Sequence, residues 1–110
     1  MTNDPAMDDC DCPPNPTPPE GALARDMPIV NRKGLHARAT AKFVQCVEQF
    51  DSEITVSRCG ETVGGTSIMG ILTLGAGKGT SITVSAAGAD AQAALDAIAA
   101  LVANRFGEDE

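Results

Sequence analysis

The residues of this chain that are best able to do chemistry lie in one stretch without acidic side chains. From residue 28 to residue 46 there is no Asp or Glu, and the only histidine of the chain, His36, lies in the middle. The basic residues of the stretch are Arg32, Lys33, Arg38 and Lys42. An imidazole nitrogen can attack phosphorus, and a guanidinium can hold two phosphate oxygens by parallel hydrogen bonds. The pattern therefore indicates a site for a phosphoryl group.

An amphipathic helix is predicted directly after His36. Its buried face is formed by Thr40, Phe43, Val44, Val47 and Phe50, which recur with helical spacing over residues 37–50. The first N–H groups of a helix have no partner within it, and together with the helix dipole they attract negative charge. Basic surroundings also favour a neutral imidazole with an available lone pair. A histidine before a helix can equally be a surface cap, and a basic patch a solvated face, so local chemistry leaves that alternative open.

The rest of the chain predicts a two-layer α+β fold. Strands are expected at residues 22–30, 54–57, 62–64 and 81–86, and helices at 37–50, 67–74 and 90–106. Pro28 indicates that the first strand lies at an edge of the sheet or ends there. The element order is β-α-β-β-α-β-α. Because each helix has a single apolar face, the helices should cover one side of the sheet.

The N-terminal residues differ in composition from the remainder. Residues 1–19 hold six of the seven prolines, and residues 1–27 hold six acidic residues against one base, Arg25. We therefore predict a disordered, acidic, Pro-rich tail over residues 1–20 and a folded domain over residues 21–110.

Composition also excludes several classes of partner. A net charge of −7 and the absence of Trp and Tyr argue against binding to nucleic acid. The longest apolar run, residues 97–103, is too short to cross a membrane. The N-terminus has neither the basic nor the apolar segment of a secretory signal. We therefore expect a cytoplasmic protein.

The four cysteines, Cys10, Cys12, Cys46 and Cys59, form no CxxC pair, and His36 is far in sequence from all of them. Unrelated, reduced thiols are the interpretation that suits a cytoplasmic protein. A metal at Cys10 and Cys12 would need two further ligands that the sequence does not indicate, so no metal site and no cofactor are predicted. Cys46 has no accompanying base and is expected to pack within its helix.

Two segments resemble one known family. The run NRKGLHARATAKFV, residues 31–44, resembles the active-site segment of HPr, the histidine phosphocarrier of bacterial phosphotransferase systems, and TSIMGILTL, residues 66–74, is similar to that family's regulatory serine segment. The resemblance extends over residues 21–108. Its last part includes Gly88 and the final amphipathic helix. It implies an open-faced β-sandwich, in which helices cover one side of a four-stranded antiparallel sheet.

The resemblance also implies a role for individual residues. His36 would accept a phosphoryl group on Nδ1 from phosphorylated Enzyme I and pass it to an EIIA protein or domain. Arg38 would contact the phosphate, together with the backbone amides of Ala37 and Arg38. Ser67 would be the serine that an ATP-dependent HPr kinase phosphorylates where that regulation exists. The apolar docking surface for partners would comprise Ile68, Met69 and Leu72. Such a protein is a stoichiometric, monomeric carrier rather than a turnover enzyme.

Two positions depart from the usual pattern of this family. Ala39 stands where most sugar-system members have Pro, and this resembles the form found in alphaproteobacteria, where the carrier often serves nitrogen-related or regulatory signalling. Thr66 replaces the basic residue that is common before the regulatory serine. Two other functions remain open: a regulatory module that acts through Ser67 with His36 idle, and a small-ligand domain without phosphoryl chemistry.

Overall fold

The computed structural model describes residues 21–107, so the predicted N-terminal tail and the last three residues lie outside the described part. The strands are β1 (Leu23–Pro28), β2 (Glu53–Arg58), β3 (Glu61–Gly64) and β4 (Ser81–Ala87). The helices are α1 (Ala37–Val47), α2 (Ile68–Thr73) and α3 (Ala91–Ala103), followed by a short 3₁₀ turn, Arg105–Gly107.

The four strands form one antiparallel sheet in the order β1-β4-β2-β3. β1 is an edge strand, and Pro28 is its last residue, paired with Ser81 of β4. A proline has no N–H to donate, so the end of an edge strand is a position where it costs no ladder hydrogen bond within the sheet. The predicted fold class, an open-faced α+β sandwich, is confirmed.

The two faces of the sheet differ sharply. The face toward the helices carries buried aliphatic residues, and Phe43 of α1 and Ile98 of α3 are fully buried within the same core. The opposite face carries small hydroxyl side chains along the central strands. These are Thr55, Ser57, Thr83 and Ser85, which alternate with Ile54, Val56, Ile82, Val84 and Ala86.

Two helices end earlier than their apolar patterns predict. The first ends at Val47 instead of residue 50, and the last ends at Ala103 instead of residue 106. Arg105 and Phe106 have positive φ values of 56°, and Phe106 is fully buried. The Phe106 side chain therefore enters the core from a turn rather than from a helix. Its carbonyl accepts a 2.7 Å hydrogen bond from Lys42 Nζ, which joins the C-terminal turn to α1.

The prediction of four reduced thiols is wrong for Cys59, because this residue takes part in a disulfide bond. Cys46 is free, as predicted. Spacing along the chain does not reveal a disulfide, because the bond depends on the distance and orientation that the fold gives to two cysteines. Among the described residues, no helix has the length and apolar character needed to cross a membrane.

Candidate functional site

His36 is presented by a loop, residues 29–36, that is fixed to a second loop, residues 75–80. The Ile29 N–H donates to the Thr80 carbonyl at 2.8 Å, and the Leu35 N–H donates to the Ala76 carbonyl at 2.9 Å. Within the loop, the fully buried Asn31 donates from Nδ2 to the Gly34 carbonyl at 2.9 Å. These contacts hold the backbone on both sides of the turn, so the position of His36 is set by tertiary structure.

Gly34 allows the two loops to approach each other. Its φ is 66°, and a Cβ built there would lie 2.5 Å from the Ala76 carbonyl oxygen and 2.7 Å from the Gly77 Cα. Real Cβ atoms do not approach backbone so closely, so only glycine fits. The sequence identified residues 31–34 only as a loop. Gly34 was the residue in the sequence that could have indicated the close contact with Ala76.

His36 is the N-cap of α1. Its backbone is extended (φ −80°, ψ −178°), its carbonyl accepts from the Thr40 N–H at 2.9 Å, and its Nδ1 accepts from the Arg38 N–H at 3.3 Å. A ring nitrogen that accepts a hydrogen bond carries its lone pair there, so the neutral imidazole has its proton on Nε2. The lone pair of Nδ1 therefore faces the positive end of the helix dipole.

The other residues predicted for phosphate binding lie in the first turn of α1. Ala37 and Arg38 are exposed, whereas His36 is half-buried. Ala39 is fully buried in the same turn and the helix continues past it, so proline is not needed at this position. The structure therefore brings His36, Ala37 and Arg38 together, with the exposed Arg32 and Lys33 earlier in the same loop.

The residues predicted for regulation and for partner docking lie at α2, a helix that packs against α1. Ser67 is its N-cap, and Ser67 Oγ accepts from the Gly70 N–H at 3.2 Å. Ile68 and Met69 are 44% and 71% exposed, and Leu72 is half-buried. Ile71 instead points into the core with no exposed surface. Ile71 therefore anchors this short helix in the core, whereas the exposed Ile68 and Met69 and the half-buried Leu72 form a surface that we call the α2 patch.

Two alternative kinds of chemistry find no support in the described residues. Burial raises the pKa of the Cys46 thiol, which disfavours the reactive thiolate. The part of the chain that the structure describes contains no group of three or more His, Cys, Asp or Glu residues able to hold a metal ion.

Comparisons with known proteins identify the family to which the chain belongs. A family model described as the PTS HPr component phosphorylation site matches residues 23–104. The phosphocarrier protein HPr of Cupriavidus necator is 50% identical over 88 residues, covering 80% of this chain and 99% of that protein. The phosphocarrier protein NPr of Shewanella violacea is 44% identical over 86 residues, covering 78% and 94%. The crystal structure of HPr-C-His from Thermoanaerobacter tengcongensis superposes with a TM-score of 0.77 at 39% identity, covering 80% and 99%. The chain therefore belongs to the HPr family of phosphocarrier proteins of the phosphotransferase system.

Proposed function

We propose that His36 accepts a phosphoryl group on Nδ1 from phosphorylated Enzyme I and passes it to an EIIA protein or domain. The observation that carries this proposal is the hydrogen bond from the Arg38 N–H to His36 Nδ1, because it identifies the lone pair that faces the start of α1. A phosphoryl group on this nitrogen would lie where a helix N-terminus stabilises negative charge.

The transfer exchanges one bond to phosphorus for another. The Nδ1 lone pair attacks phosphorus, the bond between phosphorus and the donor breaks, and the donor keeps that electron pair. The bond from the Arg38 N–H to Nδ1 must then be given up, and the same N–H becomes available to a phosphate oxygen. In the second step the acceptor attacks phosphorus and Nδ1 regains its lone pair.

Arg38 and Ala37 supply the phosphate contacts in this proposal. The Arg38 side chain is exposed and can hold two oxygens through its planar guanidinium. The amides of Ala37 and Arg38 belong to the first turn of α1, whose N–H groups have no carbonyl partner within the helix. The remaining catalytic groups must come from the partner, so the protein acts as a stoichiometric carrier rather than an enzyme.

The α2 patch is the proposed docking surface for Enzyme I and EIIA. An exposed Met has an adaptable side chain, which suits one surface that must fit more than one protein. α2 packs against α1, so a partner that covers the patch can also reach the N-terminus of α1. We place the protein in the cytoplasm as a monomer; whether its acceptor serves sugar uptake or nitrogen regulation depends on the EIIA.

The transfer is tested by intact mass measurement of the full chain with phosphoenolpyruvate, magnesium and cognate Enzyme I. We expect a mass increase of one phosphoryl group, labile in acid and stable in base, which disappears when EIIA is added. A chain that stays unmodified beside active Enzyme I contradicts the proposal.

Replacing Arg38 with Ala should slow phosphoryl transfer without unfolding the domain. The Arg38 side chain is exposed and can stabilise the transferring phosphoryl group. The helix α1 does not need this side chain, because backbone hydrogen bonds maintain it. Loss of one charge-assisted contact corresponds to roughly a 10- to 100-fold slower rate. Rapid-quench measurement of transfer from Enzyme I checks this, with Arg38→Lys as the matched variant that retains charge without the forked geometry. Unchanged kinetics in both variants would remove Arg38 from the site.

A second proposed function is regulation through Ser67. Its hydroxyl is at the exposed N-terminus of α2, next to the α2 patch. A phosphate at a helix start is compatible with the fold, but it places negative charge within the docking surface. Such a charge would weaken association with acidic partners.

Replacing Ser67 with Ala should abolish an acid-stable phosphate formed by ATP and an HPr kinase. It should also cost about 1 kcal/mol of stability, because the Ser67 side chain caps α2. Ser67→Asn is the matched control, since its side chain retains the cap without a phosphate acceptor. Mass measurement and thermal unfolding separate the two effects. A kinase that still labels the Asn variant would show that another residue is the target.

A further inference from the structure

The two backbone carbonyls that flank the Cα atom of His36 are bound by one residue, Thr40. The Thr40 N–H donates to the His36 carbonyl at 2.9 Å, and the Thr40 hydroxyl donates to the Leu35 carbonyl at 3.3 Å. Thr40 therefore holds the peptide group before His36 and the peptide group after it. We propose that Thr40 is a positioning residue for phosphoryl transfer, an inference that rests on the proposed function of His36.

The hydroxyl bond of Thr40 crosses the boundary between α1 and the loop before it. A Thr hydroxyl within a helix commonly bonds to the carbonyl three or four residues earlier. Thr40 Oγ1 instead reaches back five residues to Leu35, which precedes the N-cap of α1. The N–H of the same Leu35 donates to the Ala76 carbonyl at 2.9 Å. Leu35 thus joins α1 to the loop of residues 75–80, and His36 lies directly after this junction.

The burial of Thr40 shows that its hydroxyl serves this bond. Thr40 has no exposed surface and lies in the same core as Ala39 and Phe43. A buried hydroxyl costs free energy unless it is hydrogen-bonded. Valine has almost the shape of threonine and carries no polar group, so packing alone would favour valine at this position. The bond to the Leu35 carbonyl supplies the reason for a hydroxyl.

The proposed transfer changes the hydrogen bonding of the His36 ring but not that of its backbone. Nδ1 must give up the Arg38 N–H when it attacks phosphorus, so the bond that caps α1 is lost during the reaction. The two bonds from Thr40 involve no atom of the ring and can persist throughout. They hold the His36 backbone in its extended conformation, with φ −80° and ψ −178°. The ring therefore keeps a fixed point of attachment, and transfer rates are sensitive to displacements of about 1 Å.

The burial of Thr40 also separates its role from partner docking. A side chain with no exposed surface does not touch Enzyme I or EIIA in this structure. Loss of the hydroxyl should therefore lower the maximal rate of transfer and leave the Enzyme I concentration that gives the half-maximal rate unchanged. A residue that binds the partner would change that concentration instead.

The test is rapid-quench measurement of transfer from phosphorylated Enzyme I to the full chain and to its variants Thr40→Val and Thr40→Ser. For Thr40→Val we expect a maximal rate lower by roughly 5- to 10-fold, the size of one neutral hydrogen bond. Thr40→Ser retains the hydroxyl and should restore the rate. Equal maximal rates for Thr40→Val and the unaltered chain, or a Ser variant as slow as the Val variant, would overturn the proposal.

Ser57→Ala is the matched control for a general loss of stability. Ser57 is a second buried hydroxyl residue, on the face of the sheet away from the helices, and its Oγ lies 2.8 Å from Thr62 Oγ1. Thr40→Val and Ser57→Ala should both lower the midpoint of thermal unfolding, but Ser57→Ala should transfer phosphate at the normal rate. If both variants slow transfer equally, the rate follows overall stability and Thr40 has a structural role alone.

Amide hydrogen exchange of the unphosphorylated chain tests the positioning without Enzyme I. In Thr40→Val the Leu35 amide should exchange faster relative to the amides of the central strand β4, because the loss is local. Uniform acceleration in all of them would contradict a local role. A chain that active Enzyme I never phosphorylates would overturn this proposal together with the proposed function. Normal phosphorylation with equal rates and equal exchange in Thr40→Val would overturn this proposal alone.

Discussion

Replacing His36 with Asn is expected to abolish phosphoryl transfer while leaving the stability of the domain close to that of the unaltered protein. His36 has two roles at one position: its Nδ1 caps α1 through the Arg38 N–H, and the same atom is the proposed nucleophile. The side-chain oxygen of Asn is among the best helix caps, but an amide does not accept a phosphoryl group. The variant therefore separates the structural role from the chemical one.

The matched change is His36→Ala, which removes both roles. It should also prevent phosphorylation, and it should cost about 1 kcal/mol of unfolding free energy, as expected for a lost N-cap. Denaturant unfolding and mass measurement after incubation with Enzyme I report the two properties separately. Phosphorylation of either variant at the normal rate would show that the phosphoryl group resides on another residue.

Replacing Gly34 with Ala should produce the largest loss of stability among the changes considered for the His36 loop. The new Cβ would meet the Ala76 carbonyl oxygen at 2.5 Å, and the positive φ of 66° is itself unfavourable for alanine. Overpacking against backbone and the conformational cost together amount to about 2 to 4 kcal/mol. The loop can relieve the clash only by moving away from residues 75–80, which displaces His36. We therefore expect a lower unfolding midpoint and slower phosphoryl transfer.

Gly77→Ala is the matched control for this prediction, since it lies in the opposing loop with nothing within 4 Å of a built Cβ and no positive φ. It should leave stability within about 0.5 kcal/mol of the unaltered protein. Guanidinium unfolding of both variants makes the comparison. Equal stabilities would mean that the close approach of the two loops does not position the site.

The sequence predicted which of the candidate site residues lie together better than it predicted the contacts that support them. His36, Ala37 and Arg38 are adjacent in the chain, so the start of one amphipathic helix was sufficient to bring them together. The approach of Gly34 to Ala76, by contrast, joins residues 42 positions apart. Local periodicity carries no information about such a contact, because only the packed sheet brings the two loops together.

The C-terminal end of α3 illustrates the same limit of local periodicity. Leu101, Val102 and Phe106 have helical spacing, so the pattern predicts one helix through residue 106. The buried Phe106 instead lies in the turn after α3, and its carbonyl accepts a hydrogen bond from Lys42. An apolar side chain is buried in either case, and hydrophobic spacing alone does not distinguish the two backbones.

The most direct test of the central claim is to determine which atom carries phosphorus in the full chain after reaction with phosphorylated Enzyme I. Nitrogen-15 labelling of the histidine and phosphorus-31 NMR report this through the coupling between the two nuclei. We predict a single phosphorus–nitrogen bond, at Nδ1 of His36. Phosphorus on Nε2, on a serine, or nowhere on the chain would contradict the account.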